Sequence, residues 1–229
     1  IISGMIPCNV IADELLTDHP DRYRAMLIES ANPVHSLADS NRMREALRSM
    51  ELVVAIDIAM TETAREADYV LPASTQFEKW EATFFNFEFP ENYFHLRKPL
   101  FESLGESLSE AEIHARLVEA AGVMPTELVD ELRGLLKDEG RDAFRERFMQ
   151  AMAEDGVVSK LAPVILYRTL GEVLSGGAKE GAVMWHLTLG FAMRDSASLA
   201  RAGYEGDPIT QSDKLFDAKK KLECEDVPS

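Results

Sequence analysis

Leu52-Val53-Val54-Ala55-Ile56-Asp57-Ile58-Ala59-Met60-Thr61-Glu62-Thr63-Ala64-Arg65-Glu66-Ala67-Asp68-Tyr69-Val70-Leu71-Pro72 is the stretch whose reading decides the fold. It opens on a run of apolar and β-branched residues with no polar alternation, the signature of a strand buried on both faces. Asp57 ends that run, Thr61–Glu66 reads as a short helical turn, and Tyr69-Val70-Leu71-Pro72 reads as the next strand. Pro72 closes it, because proline cannot donate to a sheet ladder.

Upstream, Arg24-Ala25-Met26-Leu27-Ile28-Glu29 is an earlier strand of the same kind, stopped by Ser30-Ala31-Asn32-Pro33. Pro33 disfavours helix at Asn32, so a tight turn is expected there. Between the two strands, Met43, Ala46, Leu47 and Met50 recur at helical spacing behind Asp39 and Ser40, either of which can cap the start. Strand–helix–strand–turn–strand predicts an α/β fold, a Rossmann-like, mostly parallel sheet, with both faces covered. Ligands of such sheets bind beyond the carboxyl ends of the strands. Here those ends are Glu29–Pro33, Asp57–Thr61 and Leu71–Thr75.

Downstream the texture changes. Phe77–Phe101 is crowded with aromatic residues and broken by Pro90 and Pro99, and reads as an irregular, aromatic-anchored loop. Ser109 and Glu112 form a capping box for a helix that Gly122 stops. Amphipathic segments follow at roughly 126–137, 141–153, 161–174, 178–193 and 208–222, punctuated by glycines such as Gly140, Gly156 and Gly176-Gly177. The expected organisation is an α/β segment over 1–122 and an all-helical region over 123–229.

Charge narrows the function. The 229 residues carry 24 Lys+Arg and 40 Asp+Glu, a formal net charge of −16, divided as −11 over 1–122 and −5 over 123–229. A duplex nucleic-acid binder needs clustered cations, so that class is excluded. An anionic small ligand needs only a few local donors. Cys8 and Cys224 stand at opposite ends, and neither they nor the five histidines have metal-ligand spacing. No apolar run reaches the ~18–20 residues of a membrane span. No signal segment is read, so the expected setting is cytoplasmic. The chain opens Ile1-Ile2-Ser3-Gly4, with its first methionine at Met5, and the expectation is a piece of something longer. Phosphate-loop, nucleophile-elbow and dinucleotide glycine motifs are absent from the sequence.

Candidate chemistry therefore lies at strand ends. Asp57 can accept two hydrogen bonds from a ribose diol or from a guanine N1–H and amino edge. Thr61-Glu62-Thr63 opens a turn whose free N–H groups and hydroxyls suit a phosphate. His35 follows the first strand at the same edge. On the residues alone a second reading stands beside this one: Thr61 as a plain helix cap and Asp57 as a loop anchor.

The ordered pattern strand–Asp–x–x–x–Thr–x–Thr–Ala–x–x–Ala–Asp–x–Val–Leu–Pro–x–x–x–x–x–Glu, from Val53 to Glu78, resembles the molybdopterin oxidoreductases of the dimethyl-sulfoxide-reductase and formate-dehydrogenase superfamily. Ala31-Asn32-Pro33 and Leu37-Ala38-Asp39-Ser40-Asn41 extend the likeness, which covers about residues 1–122. The resemblance implies that this segment holds the guanosine and pyrophosphate end of a molybdopterin guanine dinucleotide carrying molybdenum or tungsten. By the same likeness, Ser30, Ala31 and Asn32 would approach the phosphate or ribose, and Asp57 would read the ribose or guanine. Thr61 lies in the following loop, and Asp68 would hold the guanine or brace that loop.

The resemblance further implies a fragment of an oxidoreductase enzyme, not catalytic alone, whose metal ligand lies in another domain. The partners would be the remaining domains of the same parent chain, with room for a 4Fe–4S cluster in the N-terminal part. The alternative is a cofactor-free structural homologue, as in the large peripheral subunit of respiratory complex I. Two departures stand out. Many relatives have glycines where this chain has Glu29, Ser30 and Ala31, and Phe89-Pro90 replaces a Gly-Arg pair.

Overall fold

A computed structural model describes residues 5–82 and 96–221. The chain forms two compact units, Ile1–Thr75 with Ser103–Ile113, and Gln76–Glu102 with His114–Ser229.

In the first unit three strands, β1 (Ala25–Glu29), β2 (Leu52–Asp57) and β3 (Tyr69–Pro72), lie in the order β1-β2-β3 and are all parallel. Ala25 pairs with Leu52, Glu29 with Ile56, and Asp57 with Pro72, so the three carboxyl ends line one edge. Beyond β3 a single parallel bridge joins Ala73 to Leu108, with the Leu108 N–H on the Pro72 carbonyl at 3.1 Å.

Three helices precede or link the first two strands: α1 (Ile11–Leu16), α2 (Pro33–Ser36) and α3 (Ser40–Arg48). Asp39 caps α3 from the left-handed region, its Oδ1 accepting the Arg42 N–H at 3.0 Å. Leu15, Ile28, Val34, Met43, Leu47 and Val53 are buried together, so these helices cover one face of the sheet. On the other face Ile56, Ala73 and Ile113 pack together with Leu71 and Leu108, near the carboxyl ends. Leu27 and Tyr69, on that same face, remain 47% and 63% exposed. Among the described residues the expected two-sided cover is therefore partial. An apolar run records that both faces are apolar; it does not say what covers them.

The short helical turn expected after β2 is one 3₁₀ turn, Ala64–Glu66. Arg48 grips Glu66 with two bonds, at 2.7 and 3.0 Å, and Arg44 approaches it at 3.4 Å. These pairs tie α3 to the turn that follows the candidate site.

In the second unit a short antiparallel pair, β4 (Glu81–Ala82) and β5 (Leu96–Arg97), flanks the aromatic stretch. Most of the loop expected over Phe77–Phe101 lies outside the described residues. The Arg97 guanidinium donates to the Gln76 carbonyl and sits over the Phe77 ring, 5.2 Å from its centroid.

Among the described residues eight α-helices follow, beginning with α4 (Glu110–Ala120), α5 (Thr126–Asp138), α6 (Arg141–Glu154) and α7 (Gly156–Arg168). After these come α8 (Leu170–Val173), α9 (Ala182–Arg194), α10 (Ser196–Arg201) and α11 (Pro208–Lys221). The architecture is thus α/β with a parallel sheet early and helices after it. α7 starts five residues before its expected position. Asp155 caps it, accepting the Val157 N–H at 2.7 Å, so Gly156 begins a helix where it was expected to end one. The helix then runs through Pro163, because Val158, Ala162, Ile165 and Leu166 are buried around the lost hydrogen bond. Gly171 is required where α8 passes the Lys179 backbone: a Cβ there would stand 2.9 Å from the Lys179 carbonyl oxygen.

The core of this unit is aromatic. Phe144 and Phe148 stack at 5.8 Å, and Trp185 tilts against them at 5.6 and 6.3 Å. His186 meets the Phe148 ring edge-on at 6.0 Å. Its Nδ1 is buried with no partner among the described residues, and burial holds its pKa below the ordinary value. The unfolded chain takes up that proton near pH ~6.5, whereas the folded chain takes it up only at lower pH. Stability is therefore intact above the ordinary histidine value and falls as pH drops through it toward the folded one. Urea midpoints measured between about pH 7.5 and 5.5 should fall, and a His186→Leu variant should fall less. Equal slopes would assign the proton uptake to other groups.

No helix among the described residues is long and apolar enough to cross a membrane.

Candidate functional site

The carboxyl edge of the sheet is built by two loops, 30–34 after β1 and 58–63 after β2. β1 ends in a left-handed residue, Ser30, with φ +51°. The Ser30 N–H is already committed to the Ile56 carbonyl at 3.1 Å, the last step of the β1–β2 ladder. The next two amides, of Ala31 and Asn32, donate to nothing among the described residues, and the Ser30 side chain is exposed. Two successive free N–H groups after a left-handed residue are the kind of donors that anion-binding loops use.

Left-handed φ explains why glycine suits this position. Serine tolerates it at a cost of about 1 kcal/mol, and a β-branched residue costs more. Ser30→Val should lower stability by about 1–2 kcal/mol while Ser30→Gly stays within about 0.5 kcal/mol of wild type. Thermal unfolding of the two variants checks this, and a Ser30→Val chain as stable as wild type would remove the conformational argument.

Asn32 faces the other loop. Its Oδ1 accepts both the Thr63 hydroxyl at 2.7 Å and the Thr63 N–H at 3.2 Å. Its Nδ2 donates to Glu62 Oε2 at 2.7 Å. That bond, followed by the Glu62 N–H, holds the Glu62 carboxyl below the usual carboxylate range. The Thr63 hydroxyl in turn accepts the Val34 N–H at 3.0 Å.

Asp57 stands at the end of β2 and is half-buried. Its Oδ1 accepts the Ala59 N–H at 3.3 Å and its Oδ2 the Thr61 hydroxyl at 3.4 Å. Both bonds are long, so the carboxylate keeps most of its accepting capacity for a ligand. Thr61 Oγ1 also accepts the Ala64 N–H at 3.2 Å, and its carbonyl accepts the Arg65 N–H at 3.1 Å, so it caps the turn that leads into the 3₁₀ segment, whose own N-cap position is Thr63. The two readings of Thr61 and Asp57 are thus compatible: the cap occupies Thr61 and leaves Asp57 largely available.

The structure brings Ser30, Ala31, Asn32, Asp57 and Thr61 to one edge. Asp68 is placed elsewhere. Its N–H donates to the Val53 carbonyl at 2.9 Å and its Oδ2 accepts the Val53 N–H at 2.7 Å. Val53 is the second residue of β2, so Asp68 braces the amino end of the sheet. His35 lies in α2 and is exposed, near enough to Glu62 to favour its charged form. The Thr61-Glu62-Thr63 turn was expected to offer free N–H groups and hydroxyls to a phosphate, but folding has spent them: the Thr61 N–H bonds the Ala59 carbonyl, the Thr63 N–H and hydroxyl bond Asn32, and Glu62 holds the Asn32 amide. The sequence signal for these Asn32 partners is the second threonine of Thr61-Glu62-Thr63. Among the described residues no group of three or more His, Cys, Asp or Glu side chains could hold a metal ion.

Comparisons with known proteins cover the part of the chain that carries this edge. The family described as molybdopterin oxidoreductase matches residues 14–120. A probable oxidoreductase of Bacillus subtilis, YoaE, is 36% identical over 124 residues, covering 54% of this chain and 18% of that protein. A second from the same organism, YyaE, is 32% identical over 111 residues, covering 48% and 16%. The trimethylamine-N-oxide reductase of Vibrio vulnificus is 47% identical over 60 residues, 26% of this chain and 7% of that protein. The chain thus spans less than a fifth of the length of these relatives. Residues 14–120, which carry the α/β segment and the strand-end loops described above, are thus similar to the molybdopterin oxidoreductase family, and the relatives that match here are named as oxidoreductases.

Proposed function

We propose that residues 1–122 are the segment of a molybdenum (or tungsten) oxidoreductase that holds the guanosine–pyrophosphate end of a molybdopterin guanine dinucleotide, with 123–229 a helical extension. The observation that carries this reading is the division of labour at the sheet edge. The Ser30 hydroxyl and the Ala31 and Asn32 amides are donors with no partner among the described residues. They suit phosphate oxygens. Asp57 is acceptor-only, and suits the ribose diol or the guanine N1–H and amino group. The donors lie in the loop after β1 and the acceptor at the end of β2, the adjacent strand, so both kinds of group are offered at one edge of the sheet. Thr61 fixes the loop after Asp57, and Asp68 keeps β2 and β3 in register from the opposite end.

The cofactor, when bound, supplies the two-electron redox chemistry at its metal. This chain's residues bind and orient it, and none of them is catalytic. With a net charge of −11 over 1–122, attraction of the anion rests on those local donors, because the surrounding field opposes it. The metal ligand, any 4Fe–4S cluster and the substrate pocket belong, on this reading, to other domains of the parent chain.

The test uses the full-length protein purified without oxygen from cells that make the cofactor. Metal analysis should find molybdenum or tungsten, and acid treatment should release guanine nucleotide. Protein free of both would defeat the proposal and favour the cofactor-free scaffold seen in respiratory complex I.

A further inference from the structure

We infer that Thr63 and Glu62 are positioning residues of this site, acting through Asn32 to set the angle at which the Ala31 and Asn32 amides are presented. The inference rests on the cofactor-binding reading above and deepens it.

The two loops at the sheet edge are some thirty residues apart in sequence, and their side chains meet in one clasp. Thr63 is 1% exposed, and its hydroxyl donates to Asn32 Oδ1 at 2.7 Å while accepting the Val34 N–H at 3.0 Å. The Thr63 N–H adds a second bond to the same Asn32 oxygen at 3.2 Å. Glu62 Oε2 takes one hydrogen of the Asn32 amide at 2.7 Å. Asn32 Oδ1 then has both lone pairs filled, and the planar side chain is held at both of its ends. A side chain held this way has no freedom about its last torsion, so it fixes the backbone to which it is attached. That backbone carries the free amides, and the Ser36 hydroxyl and the His35 and Ser36 N–H groups bond to the Asn32 carbonyl on its other side.

The Thr63 hydroxyl and N–H are both spent on Asn32 and Val34, so its effect on the site runs through Asn32. That hydroxyl must donate and accept at once in a buried space, which valine cannot do and serine can. Glu62 is half-exposed, so its removal has little effect on the fold, whereas it frees the Asn32 amide to rotate. The two residues therefore separate positioning from folding.

The experiment measures, in the full-length holoenzyme, the rate at which guanine nucleotide becomes releasable under native conditions, alongside the unfolding temperature. Glu62→Ala should accelerate release about tenfold, the effect of losing one hydrogen bond to a charged group, with the unfolding temperature nearly unmoved. On an Asn32→Ala background the same change should add nothing, because Glu62 acts through Asn32. Thr63→Val should release faster still, and Thr63→Ser should restore the wild-type rate. If Thr63→Val does not fold, Glu62→Ala and its Asn32→Ala cycle decide the matter. Wild-type release from Glu62→Ala holoenzyme would overturn the inference and reduce the clasp to packing. Wild-type protein without metal or guanine would overturn the cofactor reading itself, and the inference with it.

Discussion

Replacing Arg145 by methionine is expected to destabilise the helical unit by about 3 kcal/mol. Arg145 sits on α6 and is only 7% exposed. One end of its guanidinium bonds Asp142 at 2.6 Å and the other bonds Asp213, on α11, at 2.5 Å. The guanidinium also lies over the Trp185 ring, 5.5 Å from its centroid. The two ion pairs are not equal. The Asp142 side chain is 91% exposed, so that pair contributes little. The Asp213 side chain is 27% exposed, and its Oδ1 is buried without a hydrogen-bond partner among the described residues.

Removing the arginine leaves that carboxylate facing the aromatic core; Arg141, 3.9 Å away, is too distant to replace a direct bond. Loss of one partner from a buried pair costs about 3–5 kcal/mol, and the partial exposure of Asp213 places this case at the lower end. Denaturant unfolding followed by tryptophan fluorescence reads the change, since Trp185 is in direct contact. A double change, Arg145→Met with Asp213→Leu, should recover most of the loss, because it removes the stranded charge. A single variant that loses less than about 1 kcal/mol would show that water already satisfies Asp213.

Asp57→Ala should lower guanine-nucleotide retention by the full-length protein at least tenfold while leaving stability within about 1 kcal/mol of wild type. The separation of the two effects follows from geometry. Within the chain Asp57 accepts only two long bonds, at 3.3 and 3.4 Å, so its internal work is small. Toward a nucleoside it offers a full carboxylate, and a hydrogen bond to a charged group contributes about 1.5–3 kcal/mol. Asp57→Asn tests the charge separately: it keeps the shape but turns one acceptor into a donor, which faces the nucleoside's own donors. Retention equal to wild type in both variants would take Asp57 out of the site. A collapse of stability in either would mean that its loop role is the larger one.

The strands were legible because their chemistry is local. Leu52–Asp57 and Tyr69–Pro72 begin and end where the apolar runs do, since Asp57 and Pro72 cannot continue a buried ladder. Asp57 and Thr61 were legible as edge residues for the same reason. The helix over 156–160 was not, because Gly156 reads as a break until Asp155 is seen capping it. Nor was the clasp. Nothing in a sequence says that the Thr63 hydroxyl will meet an amide thirty residues upstream, because that distance is closed only when β1 and β2 pair in parallel. Asp68 shows the same principle from the other side: it sits beside β3 in sequence, and parallel pairing carries it to the end of the sheet remote from Asp57.

What the amino-acid sequence by itself determined, then, is the set of elements and the chemistry available at their ends. It specified three apolar strands, a helical remainder, one acceptor at Asp57 and a turn at Ser30–Asn32. Tertiary structure alone decided which of those groups are already spent. Hydrogen-bond capacity is finite, and folding allots it: the Ser30 amide to Ile56, the Asn32 side chain to Thr63 and Glu62, and the Asp68 carboxylate to Val53. What remains unallotted, the Ala31 and Asn32 amides and most of Asp57, is the part of the edge that the proposed cofactor reading uses.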